Sequence, residues 1–319
     1  MDFVERIKKP PLLILTGPTA VGKTSLSVRL AKAVGGEIVS ADSMQVYRGM
    51  DIGSAKVTKD EMDGVPHHLI DVLDPKEDFN VVLFQKLALE AIASIHKRGG
   101  LPILVGGTGF YIQSVLYGID FTQTREDGDF RGRLERLAAQ EGPEKLHSML
   151  READPEAAAC IHPNNVKRVI RALEFHAQTG EKISDHNQEQ RQKKPVWNFR
   201  YLVLTDDRDA IYGRIDRRVD EMMERGLVKE VQALKEKGLQ KGMVSMQGLG
   251  YKEILAYLDG EYSLEEAVYR IKRDTRHFAK RQLTWFKREK SVIWVDRRDF
   301  LDENNILRFL IKQAEEIRG

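Results

Sequence analysis

The segment Gly17-Pro-Thr-Ala-Val-Gly-Lys-Thr24 limits what this chain can fold into more than any other feature. It has the pattern G-x-x-x-x-G-K-[ST], a strand-to-helix turn whose backbone N–H groups curl around phosphate oxygens. The context fits, because Leu12 to Thr16 reads as a buried strand and Ser25 to Val34 as the helix that follows it. Glycines let the backbone curl, Lys23 adds a cation and the helix N-terminus adds its dipole. Gly17, Pro18, Thr19, Ala20, Val21, Gly22, Lys23 and Thr24 are therefore expected to cradle a polyphosphate group. Thr24 is expected to ligate Mg²⁺. A glycine-rich turn that binds nothing is the bland alternative.

Around this loop the first 120 residues alternate short apolar runs with amphipathic stretches, the pattern of a parallel sheet with crossover helices. Gly35-Gly36 ends the first helix, and Glu37 to Ser40 reads as a second strand with Asp42 at its carboxyl end, the edge where open α/β sheets bind ligands. Val81 to Lys97 has helical spacing, and Leu101 to Val105 follows as a strand closed by Gly106-Gly107-Thr108-Gly109. From Phe130 to Thr179 the pattern is helical, broken at Gly142-Pro143, Asp154-Pro155 and His162-Pro163. Phe199 to Leu204 returns as a strand. Helices are expected from about Asp209 to Gly226, from Leu227 to Lys237 and from Leu264 to Lys290, with a last strand at Ser291 to Val295. The fold class is α/β: a P-loop NTPase-like parallel sheet core, 1–121 and 196–319, with a helical insertion domain, 122–195.

The loop alone does not say which phosphate compound it holds, since kinases, GTPases and motor ATPases share it. Motors and GTPases place a Walker-B aspartate at the end of an apolar strand. Leu101 to Val105 ends in two glycines instead, and Asp42 is the only acid so placed after a clear strand. This weakens those readings and leaves a small-molecule kinase or another use of a diphosphate. Asp42 can take a proton from an acceptor nucleophile. It can also hold Mg²⁺ through water, or cap a helix with Gln45 as the third helical residue. Pattern alone leaves these open.

Composition narrows the partners. With 51 Lys and Arg against 49 Asp and Glu, the chain has no general affinity for polyanions, so partners must be sought segment by segment. The lone Cys160 excludes an internal disulfide and a cysteine-rich zinc module, and is expected to be buried or incidental. His67 and His68, as strand neighbours, point to opposite faces and do not suggest a metal site. The N-terminal segment lacks a secretory pattern, and the run Leu12 to Leu15 is far short of the ~20 apolar residues that span a bilayer. A soluble, cytoplasmic protein is expected, with no membrane partner.

Several further motifs occur in order: ADSMQVY at 41–47, GMDIGSAK at 49–56, HHLIDVLDP at 67–75, VGGTGFY at 105–111, HPNNVKRVIRALE at 162–174, GLGYKE at 248–253 and AKRQLTWFK at 279–287. With GPTAVGKT they closely resemble the tRNA dimethylallyltransferases, also called tRNA isopentenyltransferases, in their bacterial form. The resemblance runs along nearly the whole chain. It implies Mg²⁺-assisted transfer of a dimethylallyl group from dimethylallyl diphosphate to N6 of adenosine 37, beside the anticodon of tRNAs reading codons that begin with U. It further implies a monomer whose phosphate loop holds the leaving diphosphate and transfers no phosphoryl group. A related enzyme that prenylates free adenine nucleotides, a small-molecule kinase and a non-catalytic RNA-binding module are the rival readings.

By the same resemblance, Asp42 is the general base and Arg218 helps Thr19 and Lys23 hold the diphosphate. Ser43, Met44, Gln45 and Thr108 match positions lining the pocket for the flipped adenine, and Asp42 shares that contact. Gln247, Gly250, Tyr251 and Lys252 match an anticodon-loop contact. Between Arg270 and Lys290 there are nine Lys or Arg against two acids, the strongest local charge bias in the chain. On a helix, Arg273, Arg276, Lys280 and Lys287 share one face, while Val268, Ile271, Thr275, Phe278, Gln282, Trp285 and Phe286 form a mostly apolar stripe. A solvated basic face is the bland reading, and the resemblance instead places tRNA contacts at Lys280, Arg281, Gln282, Trp285 and Lys287. It adds Lys167, Arg168 and Arg171, on a helix expected to bury Val169, Ile170, Leu173 and Ala177, and Arg131 in an insertion read as a mobile clamp on the anticodon stem.

Overall fold

The computed structural model describes residues 9–121 and 128–318. Six strands, β1 (Pro11–Thr16), β2 (Gly36–Ser40), β3 (His67–His68), β4 (Leu101–Gly106), β5 (Asn198–Thr205) and β6 (Val292–Asp296), form one parallel sheet in the order β3-β2-β4-β1-β5-β6. β1 lies inside the sheet, pairing Thr16 with Gly106 of β4 and with Val203 of β5. A parallel strand covered on both faces needs a continuous apolar run, and Leu12, Leu13, Ile14 and Leu15 are all fully buried. Helices Lys23–Val34 and Glu303–Arg318 close one core, where Leu26, Leu30, Leu310 and Ile317 meet Leu13, Leu15, Ile38 and Leu204. Leu12 and Ile14 alternate toward the other face. Helix Val81–Lys97 lies against β2 and β4 and buries Phe84, Ala88, Ile92 and Ile95.

The chain divides into two units, Met1–Leu116 with Val196–Gly319, and Tyr117–Pro195. In the second unit the expected breaks separate helices Gly128–Glu141, Pro143–Ala153, Pro155–Cys160 and Val166–Thr179. Pro143 and Pro155 each open a helix, where a missing N–H costs nothing. Leu134, Leu146, Leu150, Val169, Ile170 and Leu173 form this unit's own core. Ala177 is exposed, and Ala172 and Phe175 are buried in its place.

Other expectations change. The basic helix runs only from Leu264 to Phe286, because Ser291 takes a left-handed φ of 62° that turns the chain into β6. Helices Gly109–Leu116, Ile183–Gln192, Tyr251–Leu258 and Glu303–Arg318 were not foreseen. Cys160 is exposed. Among the described residues no helix is long and apolar enough to cross a membrane.

Candidate active site and nucleic-acid interface

The phosphate loop is held in shape from outside. At Gly17 φ is +144°, and a Cβ there would lie 2.4 Å from the Leu204 carbonyl oxygen, so only glycine fits. Ala20 adopts φ 62°, unusual for a residue with a side chain, and is locked by packing against Ile211, Ile215 and Ala279. Arg214 donates to the Ala20 carbonyl at 2.8 Å and Arg297 to the Val21 carbonyl at 3.3 Å. Asp206 pins Arg214 at 2.7 Å, and Glu303 pins Arg297 at 2.7 Å. A peptide whose carbonyl is drawn outward turns its N–H inward, which is the orientation an anion needs.

Inside the loop Lys23 Nζ donates to the carbonyls of Gly17 (2.9 Å) and Pro18 (2.7 Å). Burial of the amine, reinforced by the nearby Arg218 charge and opposed by Asp42, brings its pKa down to about 7. Arg218, partly buried, donates from Nη1 to Thr19 Oγ1 at 3.4 Å, and burial lowers its pKa as well. Lys23, Arg218 and Asp42 thus sense one another's charge. Thr24 stands exposed in the first turn of its helix.

Asp42 satisfies both sequence readings in part. Its Oδ1 accepts from the N–H groups of Met44 (2.8 Å) and Gln45 (3.3 Å). No helix follows, however, and the Gln45 amide donates to the Ala55 carbonyl at 3.2 Å instead of returning to Asp42. The capping box is therefore replaced by a tight turn. Asp42 Oδ2 makes no hydrogen bond among the described residues, which leaves a lone pair for a proton or a cation.

The glycine-rich loop after β4 explains its own sequence. A Cβ on Gly106 would lie 2.3 Å from the Ala41 oxygen, on Gly107 2.1 Å from Gln282 Nε2, and on Gly109 2.2 Å from Trp285 Cδ1. Three elements converge there: the end of β2 that carries Asp42, the phosphate loop and the basic helix. Gln282 joins them, accepting from Thr19 N at 2.9 Å and donating to Gly107 O at 2.9 Å. Ser43, Met44, Gln45 and Thr108 are all partly buried around this junction.

A second set of residues, which spacing did not single out, holds the loop at 49–56. Glu230 accepts from the N–H groups of Asp51 (3.0 Å), Ile52 (2.8 Å) and Gly53 (3.1 Å) and from the Tyr251 hydroxyl (2.7 Å). Lys56, 7% exposed, binds the Tyr47 carbonyl, Asp51 and Asp71, each at 2.6 Å. Within the expected anticodon-loop contact, Tyr251 is fully buried and Gly250 is buried, while Gln247 and Lys252 reach solvent.

The basic helix is likewise divided. Arg273 pairs with Asp274 at 2.8 Å and Arg276 with Asp216 at 2.6 Å, so these two are committed within the protein. Lys280, Arg281 and Arg288, with His277, Thr284 and Trp285, line an open concavity of about 470 Å³. None of those three cations has a carboxylate within 4.0 Å among the described residues. Lys287 is exposed beside them, whereas Gln282 is 6% exposed and faces inward. In the second unit Lys167 and Arg168 are exposed and Arg171 is partly buried. Arg131 forks onto buried Glu174 at 2.8 and 2.6 Å, a bond internal to that unit. His67 Nδ1 meets the Val65 carbonyl and His68 Nε2 meets Glu37, so both rings have protein partners.

Residues 45–289 match the model of the family described as IPP transferase, and residues 10–75 match that of Isopentenyl transferase. The chain belongs to the IPP transferase family. It is 60% identical over 306 residues to the tRNA dimethylallyltransferase of Lachnoclostridium phytofermentans, covering 96% of this chain and 98% of that one. To the enzyme of the same name from Bacillus licheniformis it is 51% identical, covering 90% of this chain and 91% of that one. The crystal structure of the tRNA isopentenylpyrophosphate transferase of Bacillus halodurans is similar at 48% identity, with a TM-score of 0.73 over 97% of this chain and 98% of that one. A eukaryotic dimethylallyltransferase, solved acting on tRNA, is 32% identical with a TM-score of 0.80 over 94% of this chain and 78% of that one. The two family matches between them span the phosphate loop, the Asp42 turn and the basic helix.

Proposed function

We propose that this protein transfers a dimethylallyl group from dimethylallyl diphosphate to N6 of adenosine 37 in tRNA, as a cytoplasmic monomer. One observation carries the reading: a carboxylate with an unused oxygen, Asp42, shares a phosphate loop's electrostatic neighbourhood with Lys23 and Arg218. The adenine amine attacks the allylic carbon, the new N–C bond forms as the C–O bond to diphosphate breaks, and Asp42 Oδ2 accepts the N6 proton. Negative charge builds on the departing diphosphate. Lys23, Arg218 and the inward N–H groups stabilise it where it develops. Mg²⁺ would be held by the exposed Thr24 hydroxyl at the start of its helix, which leaves Asp42 Oδ2 to the proton. Bound there, the ion would screen charge on the leaving group.

The unpaired cations of the concavity at Lys280, Arg281 and Arg288 suit the RNA backbone, and Trp285 offers a ring to an unstacked base. Lys167 and Arg168 suit the anticodon stem. The deciding assay mixes radiolabelled dimethylallyl diphosphate and Mg²⁺ with unmodified tRNA. Label in the anticodon loop is the expected result. Label transferred only to free AMP, or phosphate transferred from ATP, overturns the reading.

A further inference from the structure

We propose that Gln282 is a positioning residue of the phosphate loop and makes no contact with RNA, an inference that rests on the function proposed above. The surrounding motif AKRQLTWFK has the look of a single RNA-binding stretch, but the helix presents its members to different places. Lys280 and Arg281 are exposed, while Gln282 is almost fully buried. Both ends of its amide are in use. Oε1 accepts from Thr19 N and Nε2 donates to Gly107 O, each at 2.9 Å.

These two bonds join the two sides of the reaction. Thr19 is the residue whose hydroxyl meets Arg218, on the leaving-group side. Gly107 leads into Thr108, whose N–H reaches the Ala41 carbonyl at 3.4 Å, next to Asp42 on the base side. Ala41 N in turn bonds to the Val105 carbonyl at 2.7 Å, so both backbone groups of the residue before Asp42 are tied to β4 and the loop after it. The spacing between the diphosphate grip and the proton acceptor is therefore set across one glutamine side chain. Gly107 is glycine for the same reason, since a Cβ would lie only 2.1 Å from the amide nitrogen.

The experiment compares wild type with Gln282→Ala and Gln282→Glu. Glutamate keeps the shape and the acceptor for Thr19 but loses the donor to Gly107, and it guards against a variant that fails to fold. Inorganic pyrophosphate binding is measured by calorimetry, tRNA binding by filter retention, and thermal melting alongside. Removal of a hydrogen bond that orders a loop amide is expected to weaken pyrophosphate binding about tenfold in Gln282→Ala. The KM for dimethylallyl diphosphate should rise and kcat fall, with tRNA affinity within about twofold of wild type, since no RNA contact is removed. Gln282→Glu should lose kcat as well, through the broken Gly107 bond. Weakened tRNA binding with unchanged pyrophosphate affinity would overturn the proposal, as would a parallel loss of both ligands together with melting temperature in both variants. Pyrophosphate binding needs no turnover, so its result is separable from a failure of the wild type to label tRNA.

Discussion

Binding of the diphosphate should be linked to uptake of one proton by Lys23, and the sign and window follow from the site. In the free protein the Lys23 amine has a pKa of about 7, held down by burial and by the Arg218 charge, with Asp42 opposing. A diphosphate placed on that amine adds negative charge within contact distance and raises the value, so the complex holds more protons than the free protein. Affinity is then complete below the free-state value and falls as pH rises through it, by about tenfold per pH unit when one proton is linked. At pH 8 roughly nine-tenths of the free amines are neutral, so about 0.9 proton should enter on binding, against about 0.1 at pH 6. Arg218 keeps its charge throughout, and the last ionisation of a diphosphate ester such as dimethylallyl diphosphate, about 6 as for other phosphate esters, lies below the window. Calorimetric titration of dimethylallyl diphosphate, without tRNA, at pH 8 in buffers of different ionisation enthalpy gives the proton count directly. Lys23→Arg, charged at every pH in the window, should bind with no uptake. Uptake below about 0.3 proton in wild type, or equal uptake in Lys23→Arg, would refute the account of a neutral buried amine.

Asp42→Asn keeps the Oδ1 acceptor that shapes the turn and removes the proton acceptor, so single-turnover rates should fall by about 10²–10⁴ while tRNA affinity stays near wild type. Lys280→Ala should weaken tRNA binding and reduce the slope of log K against log salt by about 0.7, the share of one phosphate on a single strand. Equal affinity to wild type at several salt concentrations would remove Lys280 from the interface. Glu230→Ala leaves three backbone N–H groups and the Tyr251 hydroxyl without their acceptor and should cost about 2–4 kcal/mol in urea unfolding, the loop lying partly in water. A loss under about 1 kcal/mol would mean that water replaces Glu230 at the loop.

The inner strands were legible because they are buried on both faces and written as unbroken apolar runs closed by glycine, as at Leu12 to Thr16 and Leu101 to Val105. The breaks at Gly142-Pro143 and Asp154-Pro155 were legible because proline opens helices in one place only. The supports of the site were not. Glu230 acts on residues about 180 positions away, and Arg297 on Val21 across the whole core, so no local pattern marks either. Helix Glu303–Arg318 did carry a signal, in Ile306, Leu310, Ala314 and Ile317 at helical spacing, which the sequence reading passed over. Tyr251 shows a different limit, since its bonds to Glu230 and Ser54 tie it to the loop at 49–56 and no local pattern marks them. A family motif gathers residues for proximity to a site, and burial separates those exposed to solvent from those that hold a loop.

The same division runs through the basic helix and bears on how its charge works. Arg273 and Arg276 neutralise Asp274 and Asp216 and so add almost no field to the surface, while Lys280, Arg281 and Arg288 line the open concavity with no carboxylate within salt-bridge distance among the described residues. An RNA phosphate arriving at these three displaces only water and ions, whereas reaching Arg276 would first require breaking a 2.6 Å ion pair. Charge reversal at Asp216, by Asp216→Lys, should therefore release Arg276 and increase the salt dependence of tRNA binding, even though the substituted residue lies on a neighbouring helix. An unchanged slope would mean that Arg276 stays out of reach of the RNA however it is paired, and that the interface ends at Lys280.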